Sequence, residues 1–256
     1  MEERGRLQVV ADEGALARAA AETFARCAHE AVRGHGRFAV ALAGGSTPLK
    51  AYALLADPSA RPCTYVPWEA SHFFWADERH VPPEHPESNY RAAREALLAR
   101  VPVPGARVHR IPAENPDAEA AAAAYERDLA AFFAPPAGLP PRFDLVLLGM
   151  GADGHTASLF PGSEAIGEQR RWVVAPWIER LRARRITLTP PVINAAADVV
   201  FLVSGAGKAE TLKQVLQGPP RPERLPAQAI HPAAGRLLWL LDQAAASRLG
   251  GAPAPI

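Results

Sequence analysis

The sequence predicts an α/β protein built on a mostly parallel sheet. Short apolar runs alternate with longer helical stretches, the signature of βαβ units. Some of those runs, such as Phe38-Ala39-Val40-Ala41-Leu42 and Leu145-Val146-Leu147-Leu148, are apolar at every position, as strands covered on both faces are. The polar residues best suited to chemistry follow predicted strand ends. In an open α/β sheet that is the carboxyl edge, where ligands bind.

Leu7-Gln8-Val9-Val10 is the first predicted strand, and Asp12 is placed to cap an Ala-rich helix running towards Arg33. The strand Phe38 to Leu42 breaks at Gly44-Gly45-Ser46-Thr47-Pro48, where Pro48 suits the first turn of a helix. Phe73-Phe74-Trp75 is a strand, and Ser88 caps a helix through Leu98. Asp117 to Phe133 is helical by propensity, its alanine run included. Asp144 to Leu148 is the most apolar strand and ends at Gly149. Arg185 to Thr189 alternates as a strand before Pro190-Pro191. Asp198 to Val203 is a strand ending at Ser204-Gly205-Ala206-Gly207, with a helix from Lys208. Arg236 to Leu241 is the last strand, before a short terminal helix. Pro135 to Pro141 is the best linker candidate, but the strands on either side look alike, so the expectation is one domain over residues 1–256.

Hydrophobic residues make up 48% of the chain and charged residues 21%, the balance of a globular protein with a real core. The formal net charge of +1 offers no global field to nucleic acid or an anionic membrane, so any bound anion is held by a local site. The start, Met1 to Arg6, lacks the basic and apolar regions of a signal peptide, and no apolar run approaches bilayer-spanning length. A cytoplasmic protein that binds neither nucleic acid nor membrane is expected. Cys27 and Cys63 are the only cysteines; they are expected as reduced, partly buried thiols. Lysine occurs only at Lys50, Lys208 and Lys213, which makes each of them notable.

Four segments carry chemistry. In Gly44-Gly45-Ser46-Thr47-Pro48 the two glycines let the backbone approach an anion, the next helix turn offers free N–H groups, and Ser46 and Thr47 add hydroxyls. Alone, the pentapeptide is more commonly a tight turn with a helix cap. Ser204 to Lys208 repeats the logic with a cation added. It is not a P-loop, because Leu202 occupies the first glycine position and Ala209 replaces the magnesium-holding hydroxyl. Asp153-Gly154-His155 is the strongest catalytic candidate: a histidine acts as general base near neutral pH and a nearby carboxylate orients it. Asp77-Glu78-Arg79-His80 offers acceptors for hydroxyl groups and a cation for a carboxylate or oxyanion; alone it reads as a solvated charge cluster.

Other readings fall away. Gly149 to Gly154 matches G-x-G-x-x-G after a strand, but Pro161-Gly162 interrupts the helix that a dinucleotide site needs. No G-x-S-x-G elbow supplies a serine nucleophile, and the scattered histidines and cysteines lack metal-ligand spacing. His29, His35, His85 and His109 lie in polar or loop contexts and are expected at the surface.

Taken in order, Gly44 to Pro48, Asp77-Glu78-Arg79 with Ser88-Asn89-Tyr90, Gly149 to Pro161, Arg185-Ile186-Thr187-Leu188-Thr189, Ser204 to Lys208 and Leu225-Pro226-Ala227 resemble the 6-phosphogluconolactonase family. The resemblance spans nearly the whole chain. It implies a three-layer α/β/α domain with a Rossmann-like sheet, akin to sugar-phosphate isomerases and glucosamine-6-phosphate deaminases. It also implies hydrolysis of 6-phospho-D-glucono-1,5-lactone to 6-phospho-D-gluconate, in the oxidative pentose phosphate pathway, with no metal or organic cofactor. The ligand is then a small sugar phosphate and the protein a monomer or weak homodimer. Residue by residue, the resemblance makes Ser46, Thr47, Arg185 and Lys208 the phosphate cradle, with Gly45 and Asp77 as further substrate contacts. It makes His155 the general base, with Asp153 beside it and Arg79 near the lactone end.

Two alternatives follow from the same resemblance. Glucosamine-6-phosphate deaminases typically place Asn-Glu-Pro where this chain has Ser158-Leu159-Phe160-Pro161, so the carboxylate used for ring opening is missing here. A non-catalytic sugar-phosphate sensor would keep the cradle and discard the base, against which Asp153, His155 and Arg79 speak.

Overall fold

The computed structural model describes residues 5–60 and 66–251. In chain order the strands are β1 (Arg6–Val10), β2 (Phe38–Leu42), β3 (Ser71–Trp75), β4 (Asp77–Arg79), β5 (Leu145–Gly149), β6 (Val173–Val174), β7 (Trp177–Ile178), β8 (Ala183–Leu188), β9 (Asp198–Val203) and β10 (Arg236–Asp242). The α-helices are α1 (Glu13–His35), α2 (Ser46–Leu55), α3 (Asn89–Ala93), α4 (Ala118–Phe133), α5 (Pro190–Asn194), α6 (Ala209–Gln217) and α7 (Gln243–Ala246).

Six strands form one parallel sheet in the order β1-β10-β9-β5-β2-β3. Its interior explains the unbroken apolar runs: β2, β3 and β9 are buried at every position. Helices flank this sheet in an α/β fold, and one hydrophobic core runs from Val9 to Ala246. Local chemistry fixes the helix ends. The Asp12 side chain accepts a hydrogen bond from the Ala15 N–H at 2.7 Å, and the Asp117 carboxylate does the same for Glu119 and Ala120. Helix α1 stops at Gly36, whose φ of 82° suits glycine, and the Gly36 N–H closes the helix on Val32 O at 2.9 Å. The helix capped by Ser88 continues past α3 as a π-helical turn to Leu98.

A second, small sheet is antiparallel. Strand β8 lies between β4 and β6 and also pairs with β7; α4 packs across β6 and β8. This sheet corrects part of the sequence reading. Asp77-Glu78-Arg79 is a strand of its own, and Asp77 and Glu78 are buried rather than solvated. His109 is also not a surface residue. Its ring stacks on Phe74 with centroids 4.3 Å apart and lies against His72 and Phe132, and burial holds its pKa below the ordinary value.

After β5 comes a loop and a short 3-10 turn, Glu164–Gly167, rather than the long helix of a dinucleotide site. Cys27 is buried, which pushes its thiol up to about 12; Cys63 lies outside the described residues. Among the described residues no helix is long and apolar enough to cross a membrane.

Candidate active site

Strands β9, β5 and β2 are neighbours in the middle of the sheet, and their carboxyl ends open onto one cleft. This is the place where an open α/β sheet binds ligands. Segment Gly44 to Pro48 forms one wall, Gly149 to Gly151 with His155 another, Lys208 a third, and Asp77, Arg79 and Asn89 complete the rim.

The β2 exit is tied down by Tyr52 of α2. Its hydroxyl donates to Ala43 O at 2.9 Å and accepts from the Ala43 N–H at 3.0 Å. Gly44 then passes so close to Asn89 that a Cβ there would lie 1.9 Å from Asn89 Oδ1. Gly45 takes a φ of 98°, and α2 begins at Ser46 with no side chain capping its first turn. The first N–H groups of the helix therefore face the cleft mouth together with the Ser46 and Thr47 hydroxyls, a setting that favours an anion.

The β5 exit folds back on itself through hydrogen bonds from the Gly151 N–H to His155 O, at 2.9 Å, and from the Gly154 N–H to Gly151 O, at 3.0 Å. Within this loop Asp153 Oδ1 accepts from both His155 Nδ1–H, at 2.5 Å, and the His155 backbone N–H, at 3.2 Å. With the proton assigned to Nδ1 by that network, Nε2 carries the lone pair. The other face of the arrangement is apolar: the His155 ring stacks on Phe160 with centroids 4.3 Å apart. Partial burial raises the Asp153 carboxyl, but the hydrogen bond and charge of His155 and the guanidinium of Arg180 outweigh it and bring the group down to about 2. Arg180 reaches the second oxygen, with Nη2 2.7 Å from Asp153 Oδ2.

At the β9 exit, Asp242 at the end of β10 accepts from Ser204 Oγ at 2.5 Å and from the Gly205 N–H at 3.0 Å. That brace holds the turn from which Lys208 enters the cleft. Burial lowers the Lys208 pKa, against the opposing charges of Asp242 and Glu13. Lys50, by contrast, is spent in an exposed ion pair with Glu13.

The small sheet supplies the remaining groups. Asp77 Oδ2 accepts from Ser158 Oγ at 2.6 Å, and Asn89 Nδ2 donates to Asp77 O at 2.9 Å and to Asp77 Oδ1 at 3.3 Å. The Glu78 carboxylate takes the backbone N–H groups of Arg79, Asn89 and Tyr90 and the Ser88 hydroxyl, all at 2.7–3.0 Å, and so anchors the start of α3. Arg79 is the register partner of Arg185 across β4 and β8. Burial and the Arg79 charge lower the Arg185 pKa.

Of the residues expected from sequence, Gly45, Ser46, Thr47, Asp77, Arg79, His155 and Lys208 line the cleft. Asp153 stands one hydrogen bond behind His155, and Arg185 stands beside Arg79 rather than in the wall. Tyr52, Asp242 and Arg180 were not singled out by sequence. The first two sit inside ordinary helix and strand patterns, and Arg180 is one of four arginines between positions 180 and 185. Among the described residues no three His, Cys, Asp or Glu side chains come together as a metal site. What the cleft offers is a positioned imidazole, two cations, Arg79 and Lys208, that form no ion pair among the described residues, and a helix N-terminus.

Comparison with known proteins agrees with this fold. Residues 11–239 match the family described as glucosamine-6-phosphate isomerases/6-phosphogluconolactonase. A 6-phosphogluconolactonase from Synechocystis sp. is 43% identical over 220 residues, covering 86% of this chain and 88% of that one. The structure of 6-phosphogluconolactonase from Trypanosoma cruzi superposes with a TM-score of 0.84 at 30% identity, covering 97% of this chain and 98% of the other. A monomeric glucosamine-6-phosphate deaminase shares the fold, with a TM-score of 0.79 at 22% identity over 95% of this chain and 100% of that one.

Proposed function

The chain belongs to the glucosamine-6-phosphate isomerases/6-phosphogluconolactonase family, and we propose that its activity there is hydrolysis of 6-phospho-D-glucono-1,5-lactone to 6-phospho-D-gluconate, with His155 as general base. The observation that carries the role of His155 is its tether: Asp153 occupies Nδ1–H and leaves the Nε2 lone pair for the cleft.

The chemistry follows from the groups in place. The phosphate of the substrate is held by the α2 N-terminus at Gly45, Ser46 and Thr47, with Lys208 and Arg185 supplying charge. Asp77, oriented by Ser158 and Asn89, accepts from a sugar hydroxyl. Anchoring the phosphate fixes C1 of the lactone near His155. Nε2 takes a proton from the attacking water as its oxygen bonds to C1, and Arg79 stabilises the oxyanion that forms. Asp153 stabilises the imidazolium. As the C1–ring oxygen bond breaks, His155 returns the proton to the leaving oxygen, and the acid product is released.

The deaminase alternative is disfavoured by what surrounds the base. Leu159 and Phe160 are buried where that reaction calls for a carboxylate, and Phe160 covers the His155 ring instead. A continuous core supports treating residues 1–256 as one domain, and we take the protein to act in the cytoplasm as a monomer or weak homodimer. Size-exclusion chromatography with light scattering reads the oligomeric state. The deciding experiment for the activity is hydrolysis of freshly made lactone with the spontaneous rate subtracted. No acceleration above that rate overturns the reading.

A further inference from the structure

The β7–β8 hairpin sends its tip to the β5 exit. Trp177 and Leu181 are exposed on it, and Arg182 at the turn holds a left-handed φ of 48°, unfavourable for a non-glycine residue. Arg180 lies in this tip. Its guanidinium meets Asp153 Oδ2 at 2.7 Å, and its Cζ lies 4.8 Å from the centroid of the Phe160 ring. Phe160 in turn stacks on His155, and His155 donates to Asp153 Oδ1. The four side chains thus form a closed circuit of contacts: Arg180 to Asp153, Asp153 to His155, His155 to Phe160, and Phe160 back to Arg180.

We propose that Arg180 is a positioning residue for the base, clamping Asp153 from the hairpin and so fixing the plane and tautomer of His155 from a second element. The inference rests on His155 being the base. A carboxylate held at one oxygen can rotate about its Cβ–Cγ bond; held at both it cannot, so the imidazole plane is fixed by a group on another element. The clamp also shares the charge of Asp153. A carboxylate facing only imidazole stabilises the imidazolium strongly and suppresses the base. With a permanent guanidinium on its far oxygen the carboxylate does so less, and the guanidinium itself disfavours a second cation nearby. Asp77, Arg79 and Lys208 share the cleft with His155, but only Asp153 and Arg180 belong to the charged circuit that includes it.

An isolated exposed ion pair would add little to stability. The Arg180 side chain is 54% exposed, so stability is not where its effect lies. The proposal concerns protonation and geometry at the base, which kinetics read directly.

The test compares kcat, KM and the pH dependence of kcat/KM for the wild type, Arg180→Gln and Arg180→Lys, with His155→Asn as the control for the base. In Arg180→Gln we expect kcat to fall about 10-fold with KM within about twofold, the pattern of lost transition-state organisation. The acid limb of kcat/KM should move to higher pH, because Asp153 then acts on the imidazole alone. Arg180→Lys should recover most of both effects. An unchanged acid limb and kcat in Arg180→Gln overturns the clamp while leaving the base intact. A loss confined to KM also overturns it, by making Arg180 a substrate ligand. Near-normal turnover in His155→Asn removes the base itself, and the clamp with it.

Discussion

Arg79 and Arg185 face one another as register partners on β4 and β8, and among the described residues neither forms an ion pair. Their guanidinium hydrogen bonds go to main-chain oxygens, Arg79 to Glu87 O and Arg185 to Arg184 O. Like charges directly opposite on a sheet are destabilising. An anion bound beside the pair, as the proposed function requires, would relieve that repulsion. The ligand should therefore stabilise the fold: 6-phosphogluconate at 100 times its Kd should add about 2.7 kcal/mol to the unfolding free energy. Arg185→Ala should retain about half of this gain or less at the same ligand concentration, as read by thermal unfolding.

The two arginines should separate kinetically. Arg185→Ala and Lys208→Ala remove contacts made equally in ground and transition states, and should raise KM by about 1.5–3 kcal/mol equivalent with little change in kcat. Arg79→Ala should lower kcat instead. Steady-state assays with phosphorylated lactone decide it; the reverse split would exchange the proposed roles of Arg79 and Arg185.

His155→Asn should leave the fold and product binding intact and cut kcat by about 10²–10⁴-fold, the usual contribution of a positioned general base. Calorimetric titration with 6-phosphogluconate checks the first half and turnover the second.

Gly151→Ala should behave as a mutation of the base without replacing it. A Cβ at position 151 would lie 2.1 Å from His155 Nδ1 and 2.6 Å from Asp153 Oδ1, so the dyad must move. A 1 Å misplacement of catalytic groups can cost about 100-fold in rate, so kcat should fall by about 10-fold or more. Circular dichroism should show the fold retained.

Asp153 gives a pH signature to stability. Its carboxyl is brought down to about 2, below the usual carboxylate range, by His155 and Arg180 against the upward pull of burial. A group depressed on folding contributes its stability above its unfolded pKa and loses it as pH falls through the folded one. The contribution should thus be complete above about pH 4 and disappear towards pH 2. Allowing for solvent screening, it is on the order of 1 kcal/mol. Urea titrations across that window should show a shallower fall for Asp153→Asn than for wild type.

Much of this architecture was legible because its causes are local. The unbroken apolar runs at Phe38 to Leu42 and Asp198 to Val203 are interior strands, and Asp12, Ser88 and Asp117 cap the helices that follow them. The strand-exit rule also drew residues as far apart as Ser46 and Lys208 to one cleft. What stayed hidden depends on partners distant in sequence. Glu78 looks like a solvated acid until its acceptor sites are filled by Asn89 and Tyr90, eleven and twelve residues on. His109 looks like a loop residue until Phe74 and Phe132 close around it. Arg180 cannot be told from Arg182, Arg184 or Arg185 until the hairpin turn selects which of them points at Asp153.

The sheet order has a further consequence for how this scaffold tolerates change. Among the described residues the cleft is furnished by the exits of three interior strands, β2, β5 and β9, with Asp77 and Arg79 of β4 at its rim, whereas β1 pairs with β10 alone at one margin and supplies no wall. An extra strand, a fused partner or a lengthened connection added along β1 would extend the molecule sideways without redrawing the pocket. The margin is free to diversify because the chemistry is inherited from the middle.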